Sequence, residues 1–200
     1  YKRQPAVFID ENGEHIPWEL CATMNNHWGY CNFDHEYKPA DMLIRKLVEC
    51  TSKGGNMILN VGPDAKGRIP KESVQILEEI GAWMERNGES IYGCGISEIP
   101  KPEWGRYTQN ADTIYAHVYE APLGALPLYG IAPDRLEKVY YLADGSEMTR
   151  GEAWNTVLFQ DVAFVSLGAN PVFTYPLPDP IDTVLKIKIK KGSRLCPGMD

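Results

Sequence analysis

Apolar residues recur at helical spacing in two stretches of the chain and run together or alternate in several others. After Pro39, the positions Leu43, Ile44, Leu47 and Val48 fall on one face and predict a helix from about Ala40 to Ser52, stopped by Gly54-Gly55. Val74, Leu77, Ile80 and Met84 predict the inner face of a second helix from about Lys71 to Arg86, with Asn87-Gly88 as its stop. Trp18 to Thr23 predicts a short strand. Met57 to Val61 is almost wholly apolar, as expected of a parallel strand buried on both faces. Residues 18 to 87 therefore read strand, helix, strand, helix, the order of a parallel α/β sheet or barrel. A complete (β/α)8 barrel takes about 250 residues, so this stretch can supply only the last part of one.

The texture changes after about Gly95. Pro100 and Pro102 read as a linker, and beyond them come short β-like runs: Thr113 to Tyr119, Lys138 to Leu142, Ala163 to Ser166 and Thr183 to Ile189. In the last, Val184, Leu185, Ile187 and Ile189 stand against Lys186, Lys188 and Lys190, the pattern of a half-buried strand. This half resembles a small antiparallel sandwich. The expected fold class is α/β plus all-β. Residues 1–97 would be the last βα units of a TIM (β/α)8 barrel, and residues 98–200 a small antiparallel β-sandwich. The tail from Lys191 to Asp200 carries no strand pattern and reads as loose.

Composition narrows the function. The net charge of −7 disfavours nucleic acid and anionic membrane surfaces, both of which reward positive patches. No apolar run approaches the roughly 18 residues that span a bilayer. The cysteines Cys21, Cys31, Cys50, Cys94 and Cys196 are odd in number and form no CxxC pair, so separate reduced thiols are expected rather than a disulfide framework or a zinc site. No metal and no cofactor is expected. The chain opens on Tyr1-Lys2-Arg3-Gln4-Pro5 without an initiator Met, which suggests a piece of something longer and leaves the compartment open.

Candidate chemistry gathers in "WELCATMNNHWGY", residues 18 to 30. Glu19 stands beside Trp18, read as lying near the C-terminal end of a barrel strand, where such enzymes keep their sites. A carboxyl in an apolar surround stays protonated to higher pH, which suits a general acid. The competing reading is an acid that only accepts loop hydrogen bonds. Trp28 and Tyr30 could form a wall for the C–H face of a sugar, or could be core packing. Asn60 could hold a loop or touch substrate, with support the stronger reading. His27 and His35 lack metal-ligand spacing and read as surface residues. Asp34, Glu36 and Asp41 read as solvated or near a helix N-terminus. Gly54-Gly55-Asn56 lacks the rest of a phosphate loop, and no G-x-S-x-G occurs.

Three stretches in order, "PWELCATMNNHWGY", "LIRKLVECTSKGGNMILNVGPDAKGRIP" and "ILEEIGAWMERNGESIYG", resemble the closing segment of the catalytic barrel of the α-L-fucosidases of glycoside hydrolase family 29. The resemblance is strong over residues 17 to about 94 and continues weakly through the β-rich remainder. It implies a retaining exo-glycosidase that hydrolyses terminal α-L-fucosyl linkages of oligosaccharides or glycoconjugates. In such an enzyme one carboxylate attacks the anomeric carbon, and a second protonates the leaving oxygen and later activates water. It places the nucleophilic aspartate on an earlier barrel strand, upstream of this chain, so that the 200-residue piece alone is expected to be inactive. In some members a loop corresponding to the opening Tyr1 to Ala6 carries the acid/base glutamate, but here no acid occurs before Asp10. In others it occupies the place of Glu19, which becomes the acid/base candidate. Trp28 matches the aromatic beside the fucose methyl group. The implied partner is a fucosylated glycan. A rival of another class is a non-catalytic carbohydrate-binding or structural β-sandwich, with Trp104, Tyr107, Tyr115, Tyr119 and Trp154 as its aromatics. Fluorescence titration of the separate halves with fucose would discriminate between them.

Overall fold

The computed structural model describes residues 8–151, 158–170 and 173–190. Trp154, Cys196, the opening Tyr1 to Ala6 and the tail 191–200 lie outside the described residues. The chain divides into two compact units, Tyr1–Glu85 and Arg86–Asp200. It is sheet-rich, with two α-helices and several antiparallel pairings.

In the first unit, strand β1 (Glu19–Thr23) pairs in parallel with β2 (Asn56–Asn60), with Glu19 opposite Asn56 and Thr23 opposite Asn60. Helix α1 (Ala40–Thr51) connects them, and α2 (Lys71–Asn87) follows. The βαβα order read from the hydrophobic pattern is therefore present. Leu43, Ile44 and Val48 of α1 are buried as their spacing requires. An apolar cleft of about 160 Å³ lies among Leu43, Leu47, Met57, Leu59 and Ile80, where α1, β2 and α2 meet.

Two expectations fail here. β2 is not buried on both faces, because Ile58 is 48% exposed. Residues aligned in a parallel pair point to the same side, so Ile58 shares a face with Cys21, also exposed, while Met57 and Leu59 turn inward with Leu20 and Ala22. Among the described residues β1 and β2 form a sheet of two strands only. Nor is Val74 on the inner face of α2, since it is 39% exposed. The covered stripe runs instead through Ser73, Ile76, Leu77, Ile80, Trp83 and Met84, spaced i, i+3, i+4, i+7, with Trp83 fully buried. Val74 falls outside that stripe on the 3.6-residue turn.

The second unit holds a five-stranded antiparallel sheet in the order β3 (Gly95–Ile96), β4 (Gly105–Asn110), β5 (Thr113–Val118), β9 (Thr183–Ile189), β7 (Leu136–Tyr141). A separate pair joins β6 (Leu126–Leu128) to β8 (Ala163–Val165). Leu126, Leu128 and Val165 share one apolar core with Ile114, Ala116, Leu185 and Ile187 of the larger sheet. Pro100 and Pro102 do not lie in an open linker: Ile99 and Trp104 on either side are part of that core. Val184 is buried despite its opposite phase to Leu185, because the outer face of the sheet is covered there. On that face sits the 3-10 turn Gly88–Ser90, whose Ser90 carbonyl accepts from the Thr108 hydroxyl at 2.7 Å and whose Glu89 carboxylate accepts from the Tyr115 hydroxyl at 2.7 Å.

Candidate functional site

The C-terminal ends of β1 and β2 meet at Thr23 and Asn60, and the loop from Met24 to Lys38 rises from that rim. Met24, 1% exposed, anchors its start, and Met24 N–H continues the ladder to Asn60 O. Lys38 closes the loop. Its ammonium donates to Thr23 O at 2.8 Å and to Asn25 O at 2.7 Å, tying the end of the loop to carbonyls at the strand end. Asp34 fastens the middle. It accepts from Asn26 N–H at 2.9 Å, from Glu36 N–H at 3.1 Å and from the His27 ring at 2.6 Å. The His27 hydrogen bond, aided by those two amides, holds the Asp34 carboxyl below the usual carboxylate range. Asp34 is only 8% exposed, so the reading of a solvated acid is corrected. Only Glu36 N–H, two residues on, has the spacing of a local Asx turn; Asn26 and His27 lie eight and seven residues back, beyond any local signal. His27 lies at the surface as expected, but is bound to Asp34.

Trp28 is exposed, 59% by surface, and its backbone is held from two sides. Asn60 Nδ2 donates to Trp28 O at 2.6 Å, so Asn60 supports the loop. Gly62, at φ +53°, lies under the same carbonyl, where an added Cβ would stand 3.2 Å from Gly29 C. The Trp28 ring borders an open cleft of about 550 Å³ with Cys21, Thr23, Asn26, Met42 and Lys46, along the free side of β1 and against α1. On the other side of the loop a cleft of about 450 Å³ runs between Tyr30, Asp34, Tyr37 and the segment Asp64 to Glu72. Tyr30 is exposed, its hydroxyl donating to Asn32 at 3.1 Å. Neither Trp28 nor Tyr30 is core packing.

Glu19 does not stand where the sequence placed it. It opens β1 rather than ending it. The strand's four steps to Thr23, at about 3.3 Å each, put it roughly 13 Å from the rim. Its carboxylate is exposed, with the Cys21 thiol 4.0 Å away, and it does not line the cleft that holds Trp28. The acid and the aromatic wall that share one stretch of sequence are thus separated in the structure.

The second unit gives little to the rival reading. Trp104, Tyr107 and Tyr115 are buried, and Trp104 and Tyr107 pack edge to face at 5.4 Å. They make core rather than a platform, and Tyr119 is half-buried. Among the described residues no group of three His, Cys, Asp or Glu side chains could hold a metal ion. Cys21, Cys31, Cys50 and Cys94 are in the thiol form.

The site is thus a loop-borne aromatic raised over the carboxyl ends of two parallel strands, the end of a parallel α/β sheet where ligands bind. Residues 3–89 match the family model described as α-L-fucosidase. Among curated proteins, an α-L-fucosidase of Dictyostelium discoideum is 41% identical over 112 residues, 52% of this chain and 24% of that one. Tissue α-L-fucosidase of Bos taurus is 37% identical over 130 residues, 60% of this chain and 26% of that one. Among solved structures, α-L-fucosidase isoenzyme 1 of Paenibacillus thiaminolyticus is 44% identical with a TM-score of 0.87, covering 94% of this chain and 43% of that one. A family 29 α-L-fucosidase of Bacteroides thetaiotaomicron, with a covalent intermediate trapped from 2-fluoro-fucosyl fluoride in a Glu-to-Gln mutant, is 28% identical with a TM-score of 0.72. The chain is similar in sequence and in structure to these α-L-fucosidases. It spans about a quarter of the length of the curated relatives it matches.

Proposed function

We propose that the chain is part of a retaining exo-α-L-fucosidase, acting on terminal α-L-fucosyl linkages of oligosaccharides or glycoconjugates. The observation that carries this is the 44% identity over 94% of the chain to the Paenibacillus enzyme. Residues 1–97 would be the last βα units of the catalytic barrel and residues 98–200 its C-terminal sandwich. The parallel register of β1 and β2 supports the first assignment, and the shared core of the five-stranded sheet and the β6–β8 pair supports the second. A covalent intermediate trapped in the Bacteroides relative favours a double displacement, in which a carboxylate nucleophile and an acid/base carboxyl lie about 5–5.5 Å apart. The nucleophile would be an aspartate on an earlier barrel strand, outside these 200 residues.

In this reading Trp28 offers its exposed ring to the C6 methyl side of fucose. An apolar face is wanted there because no hydroxyl remains to be satisfied. Asn60 and Gly62 fix the height of that ring through its backbone. Glu19 is the acid/base candidate within the chain, on the strength of its place in the motif. Its position at the start of β1 favours the competing assignment, a glutamate on a segment before the strand. The test is the Glu19→Gln variant of the longer enzyme with a 4-nitrophenyl fucoside and with a fucosyl disaccharide. An acid/base role predicts a loss of several hundredfold or more on the disaccharide, little loss on the activated substrate, and rescue by azide. A variant that hydrolyses both like the parent removes Glu19 from the mechanism and leaves the fucosidase reading intact. Trp28→Ala in the same enzyme should raise KM for fucosides by about tenfold or more.

A further inference from the structure

On the outer face of the five-stranded sheet, a cleft of about 280 Å³ lies between Lys186 and Lys188 of β9, Tyr140 of β7, Glu89 and the turn residue Gly145. We propose that this cleft binds a sugar ring bearing a carboxylate or a sulfate ester, with the Lys188 ammonium facing the anionic group.

Charge is the first argument. Glu89, the carboxylate in the cleft wall, is already engaged: it pairs with Lys186 and accepts from the Tyr115 hydroxyl at 2.7 Å. The Lys186 hydrogen bond is the chief reason that its carboxyl is held below the usual range. Glu89 and Lys186 thus cancel. Lys138, on the neighbouring strand, meets Glu147 at 3.0 Å outside the cleft. Lys188 instead lies over the Tyr140 ring, 5.6 Å from its centroid. A π face orients an ammonium without neutralising it. The cleft therefore keeps a net positive charge in a chain whose overall charge is −7.

Shape is the second. The volume lies just under the usual range for small-ligand clefts, about 300–1,000 Å³, and suits one ring rather than a chain. The lysine stems and the phenol edge supply apolar wall for the C–H face of a pyranose. An inorganic anion would use the ammonium and leave that wall wet. Where a Cβ would stand on Gly145 there is nothing within 4 Å, so the turn leaves the mouth open. The site does not depend on the fucosidase reading, because binding is measured without turnover.

The experiment is an NMR titration of the 200-residue chain with glucuronic acid, glucose 6-sulfate, glucose and inorganic sulfate. At least one acidic sugar should shift the amides of Gly145, Lys186 and Lys188 saturably, at least tenfold more tightly than glucose or inorganic sulfate. Lys188→Ala should weaken that binding by about tenfold. Lys188→Arg should retain it, and Lys138→Ala should leave it unchanged. Equal binding of glucose, equal binding of inorganic sulfate, unchanged affinity in Lys188→Ala, or no saturable shift overturns the proposal. Whether carboxylate or sulfate binds more tightly identifies which acidic sugar the cleft takes.

Discussion

Asp34 is a single acceptor on which the rim loop converges, and its lowered carboxyl pKa ties that loop to pH. A carboxyl held lower in the folded than in the unfolded chain stabilises above its unfolded value, about 3.9, and loses that contribution as pH falls through the folded value. The Asn26 and Glu36 amides should therefore exchange faster relative to the rest of the unit as pH is taken from 5 to below 3. In Asp34→Asn this extra acceleration should disappear, which residue-resolved hydrogen exchange would show. A second residue-level constraint is Gly55. A Cβ there would collide with the Trp18 ring, whose Nε1 donates to Lys53 O at 3.2 Å. Gly55→Ala forces either the ring or the turn to shift and should cost about 1–3 kcal/mol in urea unfolding, whereas Gly81→Ala, with open space around it on α2, should stabilise slightly. The Gly-Gly signal was legible as a helix stop. Its second job was not, because Trp18 reaches Gly55 across 37 positions of sequence, and no local pattern encodes that approach. The same holds for Asn60 and Trp28, joined by a side chain across the strand ends. Glu19 shows the converse error. Its neighbours suggested a strand's end, but the ladder starts at Glu19, and only the partner strand decides register.

At the scale of elements, a buried polar chain fastens the 3-10 turn to the larger sheet. Thr108 of β4 spends its one hydroxyl proton on Ser90 O, so its oxygen must accept from His117 Nε2 at 3.1 Å. His117 Nδ1 then shares a proton with Asp182 at 2.7 Å, both side chains being fully buried. Thr108 and His117 are two register positions apart on paired strands and so share a face, and Asp182 enters just before β9. Removing one partner takes a buried, charge-assisted hydrogen bond from the other, which costs about 3–5 kcal/mol. His117→Ala and Asp182→Ala should each lower the unfolding free energy by that amount in denaturant titration, and the double variant should lose less than the sum. The elements around this chain were unevenly legible. β5 and β9 are apolar and β-branched, and were visible as strands. β4 reads Gly-Arg-Tyr-Thr-Gln-Asn, where polarity hid a central strand, because its outward side chains are spent on the turn above it rather than on solvent. β3 and β6 are only two and three residues long and carry no period at all.

For the whole molecule, the first unit presents what a parallel sheet normally hides. Parallel strands occur almost only with both faces covered and neighbours on both sides. Here β1 and β2 form a two-strand sheet among the described residues, Ile58 is exposed beside Cys21, and the cleft along the free side of β1 is lined by Leu20, Ala22, Met42 and Leu43. A strand edge with unpaired N–H and C=O groups beside apolar side chains is a template for another chain. The second unit closes its own core, with Ile114, Val118, Leu126, Leu185 and Ile187 fully buried. Association of the isolated 200-residue chain should therefore arise from the first unit. Light scattering coupled to gel filtration should find species larger than 22.5 kDa that grow with concentration. Ile58→Lys, which places a charge on the exposed face without touching the buried one, should shift the distribution toward monomer, as edge lysines do in natural sheets. The same substitution on the outer face of the second unit, Thr113→Lys, should not. A monodisperse monomer that unfolds in one cooperative step, or an association unchanged by Ile58→Lys, would overturn this prediction.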